Sequence, residues 1–149
     1  MRAIVVLLAL ACALASASSS AAPAADSVRF DDLVAQSSAS KNNVIKLTST
    51  GKYKSLVLKP GRDWESIVLL SASGKVGCVR CSEWEEVLGT AAMAYKATLK
   101  AGQKPKVIFY VIRFDDANEV YQTYQLNHAP TLIWVASARA LSLALSRVN

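Results

Sequence analysis

Apolar and polar residues follow two periods along this chain, one typical of strands and one typical of helices. Short apolar runs bounded by turn residues predict strands, and the longest of them indicate strands that are buried on both faces. The predicted strands are residues 44–47, 66–70, 106–112 and 131–135. Apolar residues at helical spacing predict helices before and between these strands. The predicted helices are residues 27–38, 50–58, 82–100 and 118–124.

Alternating helices and strands predict an α/β fold, with a mixed sheet sandwiched between helices. The 149 residues suffice for one such domain and not for two with independent cores. The segment after the last strand, residues 136–149, is compatible with a terminal helix. A membrane span there is disfavoured because the segment is short and contains Arg139 and Arg147.

The N-terminus has the pattern of a secretory signal peptide. Arg2 forms a short positive region, residues 3–15 are mostly apolar, and Ala15-Ser16-Ala17 fits the small-residue rule for cleavage. We therefore expect a signal peptide at residues 1–17, a flexible tail at 18–26 and the folded domain at 27–149, with 135–149 unassigned. A secreted chain works where disulfides form and persist.

The composition of the chain indicates a buried hydrophobic core and a positive charge that is spread over the sequence. Hydrophobic residues make up 52% of the chain, enough for a buried interior, and the formal net charge is +6. Nucleic-acid binding would require a motif that reads a groove, and the chain has no recognisable one. The charge therefore indicates a solvated basic face, or one that is turned toward anionic lipid.

Cysteine usage points to the chemistry. Cys12 leaves with the signal peptide, so the mature chain has a single Cys-x-x-Cys motif formed by Cys78 and Cys81. A structural zinc site needs four ligands, and only these cysteines and His128 offer thiolate or imidazole donors, so we expect no metal and no other cofactor. A structural disulfide between residues three apart would close almost no loop. A redox pair after a buried strand and before a helix is the favoured interpretation.

The two thiols are expected to differ in role. Cys78 is the nucleophile and Cys81 resolves the mixed disulfide. The positive end of the helix dipole and the cation of Arg80 both favour a thiolate, so Arg80 is predicted to tune the pair. The three glutamates of the first helical turns oppose this effect. They are Glu83, Glu85 and Glu86.

A proline directly precedes the last predicted strand. With the Cys-x-x-Cys motif, this order resembles the thioredoxin arrangement, in which a cis proline lies opposite the cysteine pair and the adjacent backbone pairs with a peptide. The resemblance implies a cis bond before Pro130 and a peptide-binding role for His128, Ala129 and Pro130. A proton-shuttle role for His128, or no role, stays open.

The signal peptide and six further stretches together resemble one family, the thioredoxin-like lumenal domain of the oligosaccharyltransferase accessory subunits. Its animal members are the tumour-suppressor-candidate and magnesium-transporter proteins. The resemblance covers residues 27–134, and its most specific parts are the basic segment and the Asn-x-Ala-Pro-Thr loop. The matching stretches are residues 52–60, 63–68, 78–81, 109–112, 115–121 and 126–132.

This resemblance implies a domain in the endoplasmic reticulum lumen that captures nascent secretory polypeptides as transient mixed disulfides and so aids N-linked glycosylation. Its partners would be nascent chains and oligosaccharyltransferase subunits, with no nucleic acid, and with membrane association only through the complex or the family's spans. The family continues with a further strand, a helix and four transmembrane spans, so we expect either a chain truncated before those spans, with incomplete C-terminal elements, or a soluble relative. The alternatives are a soluble, general protein-disulfide oxidoreductase and a non-catalytic peptide-binding module with a structural disulfide.

Overall fold

The computed structural model describes residues 30–137, which form a four-stranded mixed sheet with helices on both faces. The predicted signal peptide, the tail and most of the segment after the last strand lie outside the described residues. In chain order the elements are α1 (Phe30–Ala39), β1 (Val44–Leu47), α2 (Thr50–Leu56), β2 (Glu65–Ser71), α3 (Cys81–Thr98), β3 (Val107–Arg113), α4 (Asn118–Thr123) and β4 (Thr131–Val135).

The strand order is β1-β3-β2-β4. β1 and β2 run parallel to β3, and β4 runs antiparallel to β2. The two most apolar strands, β2 and β3, therefore occupy the centre, where both faces of a strand are shielded from water. Their register pairs Ser71 with Arg113, which places the ends of both strands at one edge of the sheet.

Successive side chains of the central strands point to opposite faces and supply two cores. Val68 and Leu70 of β2 belong to the larger core, which α1, α2 and α4 cover. Leu69 belongs to the smaller core, where it packs with Leu88 and Ala92 of α3. This smaller core fixes α3, and with it the segment that carries the cysteines, against the sheet.

A buried arginine ties the start of β2 to the end of β4. Arg62 is 6% exposed and donates hydrogen bonds to the carbonyls of Trp64, Val135 and Ala136 and to the Ser66 hydroxyl. These bonds compensate the cost of burying the guanidinium, since a buried charge without partners is strongly destabilising. With this end of β4 fixed, the antiparallel register brings Thr131 opposite Leu70. The loop before β4 therefore lies at the same sheet edge as the end of β2.

Every predicted strand and helix that falls within residues 30–137 is present. The first and last strands have the expected bounds, and the others shift by a residue or two. The main difference is α3, which begins at Cys81 and ends at Thr98, because Leu99 is already extended. No helix among residues 30–137 has both the length and the hydrophobicity needed to cross a bilayer.

Candidate redox site

Cys78 and Cys81 form a disulfide at the sheet edge where β2 and β3 end, and their Cα atoms are 5.6 Å apart. A short 3-10 turn, Gly74–Val76, connects β2 to this segment. Gly77 follows with φ of 80°, a left-handed conformation that glycine adopts without steric cost. The turn delivers Cys78 just before α3, and Cys81 is the first residue of that helix.

The two sulfurs have very different surroundings. Cys81 is 1% exposed, and its Sγ accepts a hydrogen bond from the Ala72 amide at 3.2 Å. Cys78 is partly exposed, and its Sγ lies 3.7 Å from the carbonyl oxygen of Ala129. An incoming thiol can therefore approach the sulfur of Cys78 but not that of Cys81.

The loop before β4 has the expected geometry. The Ala129–Pro130 peptide bond is cis, which confirms the conformation implied by the resemblance. Cys78, His128 and Ala129 line one open cavity, and Pro130 follows Ala129 directly before β4. His128 is exposed, and its Nδ1 lies 3.2 Å from Oδ1 of Asn127.

The cavity beside Cys78 has a volume of about 440 Å³ and a largely apolar wall. Sequence reasoning missed three residues of that wall, Val76, Phe114 and Leu126. Phe114 follows β3 directly, is 42% exposed, and packs edge-on against Tyr121 with ring centroids 5.2 Å apart. Tyr121 in turn donates a hydrogen bond to the Ser71 carbonyl. The sequence signal that could have identified Phe114 was its position directly after a buried strand.

Two of the three glutamates near the cysteines have cationic partners. Arg80 is the N-cap residue of α3. Its Nε lies 3.5 Å from Oε2 of Glu83, and its side chain is 71% exposed. Glu85 is bound by Arg113 and Ser71. Burial raises the pKa of Glu85, but the hydrogen bonds from Arg113 and Ser71 outweigh it, so the net pKa lies below its usual value. Glu85 is therefore ionised at neutral pH.

Nearby groups of the same edge are also fixed by hydrogen bonds. The backbone amide of Ser73 donates to Oδ2 of Asp115 at 3.0 Å, and this bond holds the pKa of Asp115 below its usual value. Burial raises the pKa of Tyr121, which stays protonated as a donor. Within residues 30–137 no cluster of three His, Cys, Asp or Glu residues is arranged to hold a metal ion.

The fold has a solved counterpart. The crystal structure of thioredoxin from Trypanosoma brucei brucei superposes with a TM-score of 0.51 at 17% sequence identity, covering 67% of this chain and 75% of that one. This likeness confirms the thioredoxin-like α/β fold that the order of elements and motifs indicated.

Sequence comparison finds more specific relatives. The chain is 30% identical over 95 residues to the dolichyl-diphosphooligosaccharide–protein glycosyltransferase subunit MAGT1 of Gallus gallus, and 27% identical over 96 residues to that of Xenopus laevis. The matches cover 63% and 64% of this chain but only 28% of each relative. The sequence model of the OST3/OST6 family, described as a transporter family, matches residues 31–145. The chain therefore belongs to the OST3/OST6 family, as the resemblance implied.

Proposed function

We propose that this chain is a lumenal accessory domain of the endoplasmic reticulum oligosaccharyltransferase that holds nascent chains by transient mixed disulfides. The observation that carries the proposal is the asymmetry of the disulfide. The Cys78 sulfur opens onto an apolar cavity, whereas Cys81 is buried. The family of the chain supports the compartment and the complex, because the relatives it matches are named as subunits of the glycosyltransferase.

The disulfide supports a cycle of capture and release without net oxidation. A client cysteine loses its proton to solvent, and its thiolate attacks the Cys78 sulfur. The bond between Cys78 and client forms as the internal disulfide breaks, and Cys81 leaves as a thiolate. In the reverse step Cys81 attacks the Cys78 sulfur, restores the internal disulfide and releases the client thiolate. In the reduced domain, Cys78 is the accessible nucleophile.

The cavity supports weak binding of many sequences. Its apolar wall offers area to a client side chain next to the reacting cysteine, and the Ala129 carbonyl lies beside the sulfur as an acceptor for a main-chain amide. Main-chain pairing of this kind is tolerant of sequence. Such tolerance suits a subunit that meets many nascent chains before they fold.

Trapping of clients tests the proposal. In cells that express the full chain with Cys81→Ser, Cys78 attacks a client disulfide and cannot be displaced by its neighbour. Non-reducing gels should then show high-molecular-weight adducts that disappear with reductant. Cys78→Ser is the matched control, and we expect few adducts because Cys81 is 1% exposed. Equal adducts from both variants would contradict the assignment of Cys78.

Two further measurements separate the alternatives. Recovery of oligosaccharyltransferase subunits with the tagged chain supports the accessory role, and adducts without those subunits would indicate a general oxidoreductase. The reduction potential distinguishes both from a structural disulfide, which has a potential below roughly −300 mV, whereas working pairs span about −270 to −120 mV.

A further inference from the structure

Glu85 of α3 is fixed by two neighbouring strands. Nε of Arg113 donates to Oε1 of Glu85 at 2.9 Å, and Nη2 donates to Oε2 at 2.6 Å, so the contact is bidentate. The Ser71 hydroxyl adds a third bond to Oε1 at 2.7 Å. The side chains of Arg113 and Glu85 are 35% and 21% exposed, so the pair is only partly solvated. Bidentate pairs of this type fix both partners in orientation.

This ion pair lies next to the cysteines. Glu85 follows Cys81 by four residues on α3, so both side chains lie on the same face of the helix. The end of β2 binds both of them, through the Ser71 hydroxyl to Glu85 and through the next amide, that of Ala72, to the Cys81 sulfur. A cavity of about 270 Å³ is bordered by Cys78, Glu85 and Arg113 together.

A carboxylate in this position opposes the chemistry unless its charge is cancelled. A nearby negative charge disfavours a thiolate, and it acts more strongly where solvent is partly excluded. Arg80 is more exposed than Arg113 and is directed at Glu83. Lys46 also acts on Glu85 through its charge, but it forms its ion pair with Asp116, whereas Arg113 contacts Glu85 directly. The local charge of Glu85 is therefore balanced mainly by Arg113.

We propose that Arg113 is a positioning residue of the redox centre, which holds Glu85 in place, cancels its charge and so favours the thiolate form of the cysteine pair. The inference deepens the proposed function, on which its biological meaning rests. The direction of each charge effect on the cysteine pKa does not depend on the exact distances between the charges and the sulfurs. Removing the carboxylate charge makes the potential at the sulfurs more positive, and removing the guanidinium charge makes it more negative.

Other titratable groups lie around the cysteine segment, and the test leaves them unchanged. They come from β1, from the turn before Cys78, from α3 and its cap, from the loop after β3, from α4 and from the loop before β4. These groups are Lys46, Lys75, Arg80, Glu83, Glu86, Asp115, Asp116, Tyr121 and His128. Because they are common to all variants, differences between variants report the pair alone.

The test is a charge cycle on the full chain carrying Cys81→Ser, which leaves Cys78 as the reacting thiol. The rate of alkylation of the reduced protein by iodoacetamide is measured against pH for the parent, Arg113→Gln, Glu85→Gln and the double variant. We expect Arg113→Gln to raise the apparent pKa of Cys78 by about half a unit to one unit. Glu85→Gln should lower it, and the double variant should return it close to the parent value.

Arg113→Lys keeps the charge without the bidentate contact, and it serves as a rescue variant if Arg113→Gln does not fold. The apparent pKa of Cys78 in Arg113→Lys should be closer to that of the parent than to that of Arg113→Gln. Glu85→Gln alone still tests the direction of the charge effect. An unchanged profile in both single variants, or a double variant as shifted as Arg113→Gln, would overturn the charge-balancing role. The readout uses no client, so failure of client trapping with this pattern intact would contradict the proposed function and not the inference.

Discussion

Replacing Phe114 with serine removes a partly exposed aromatic ring from the wall of the cavity beside Cys78 while leaving both cysteines in place. An aromatic side chain buries about 150–250 Å² when fully covered. Phe114 is 42% exposed, so roughly 80 Å² remains for a client to cover, taking the middle of that range. At about 25 cal/mol per Å², complete coverage is worth about 2 kcal/mol.

Since 1.4 kcal/mol is a factor of ten in affinity, the upper limit is about a 30-fold weakening of client binding. A peptide that covers only half of the exposed surface would lose about fivefold. The assay uses the Cys81→Ser background and a peptide whose cysteine carries a chromogenic thionitrobenzoate. Attack by Cys78 joins the peptide to the protein and releases the coloured thiolate. Phe114→Ser should raise the half-saturating peptide concentration by 5- to 30-fold, with little change in the maximum rate.

Two controls make this result specific. Trp134 is 63% exposed and pairs with Ile67 on β2, and about four strand residues, or roughly 13 Å, separate it from Pro130. Trp134→Ser should therefore leave peptide capture unchanged. Iodoacetamide should react equally with the parent and with Phe114→Ser, because a small reagent needs the thiol and not the cavity. Unchanged peptide saturation in a folded Phe114→Ser protein would refute the cavity as the client site.

Two other substitutions test the surroundings of the site and of the sheet. Arg80→Ala should raise the pKa of Cys78 by less than about one unit, because the side chain is 71% exposed and pairs with Glu83; an unchanged alkylation–pH profile would remove it from the mechanism. Arg62→Met should reduce the free energy of unfolding in urea by about 3–4 kcal/mol, because three carbonyls and the Ser66 hydroxyl lose their donor. Arg80→Met is the matched exposed control, and equal losses of unfolding free energy in both variants would contradict the stabilising role of the Arg62 hydrogen bonds.

The periodicity of the chain was sufficient to predict the sheet and its helices, because each described element carries its own apolar pattern. The central position of β2 and β3 follows from their continuous apolar runs. Arg62 could not be predicted in the same way. It lies in a polar turn before β2, where an arginine is ordinarily solvated, and its burial depends on carbonyls more than 70 residues away. Only the packed sheet brings those acceptors to the guanidinium.

The residues of the candidate site also fall into those that a local motif predicts and those that only the fold brings together. The cysteine pair and Pro130 are local motifs, and a resemblance supplied their arrangement in space. Phe114, Arg113 and Ser71 carry no motif of their own. They come together because β2 and β3 are parallel and in register, which places Ser71 beside Arg113 and the residues that follow both strands at one edge. In a parallel sheet, the residues directly after each buried run are therefore the ones to compare, even when they are separated by more than 40 positions. On that criterion Phe114, which follows β3, and Cys78, which follows β2 after a short turn, were predictable neighbours. The pairing of Glu85 with Arg113 was not, because it depends also on the rotation of α3, which the packing of Leu88 and Ala92 on the sheet decides.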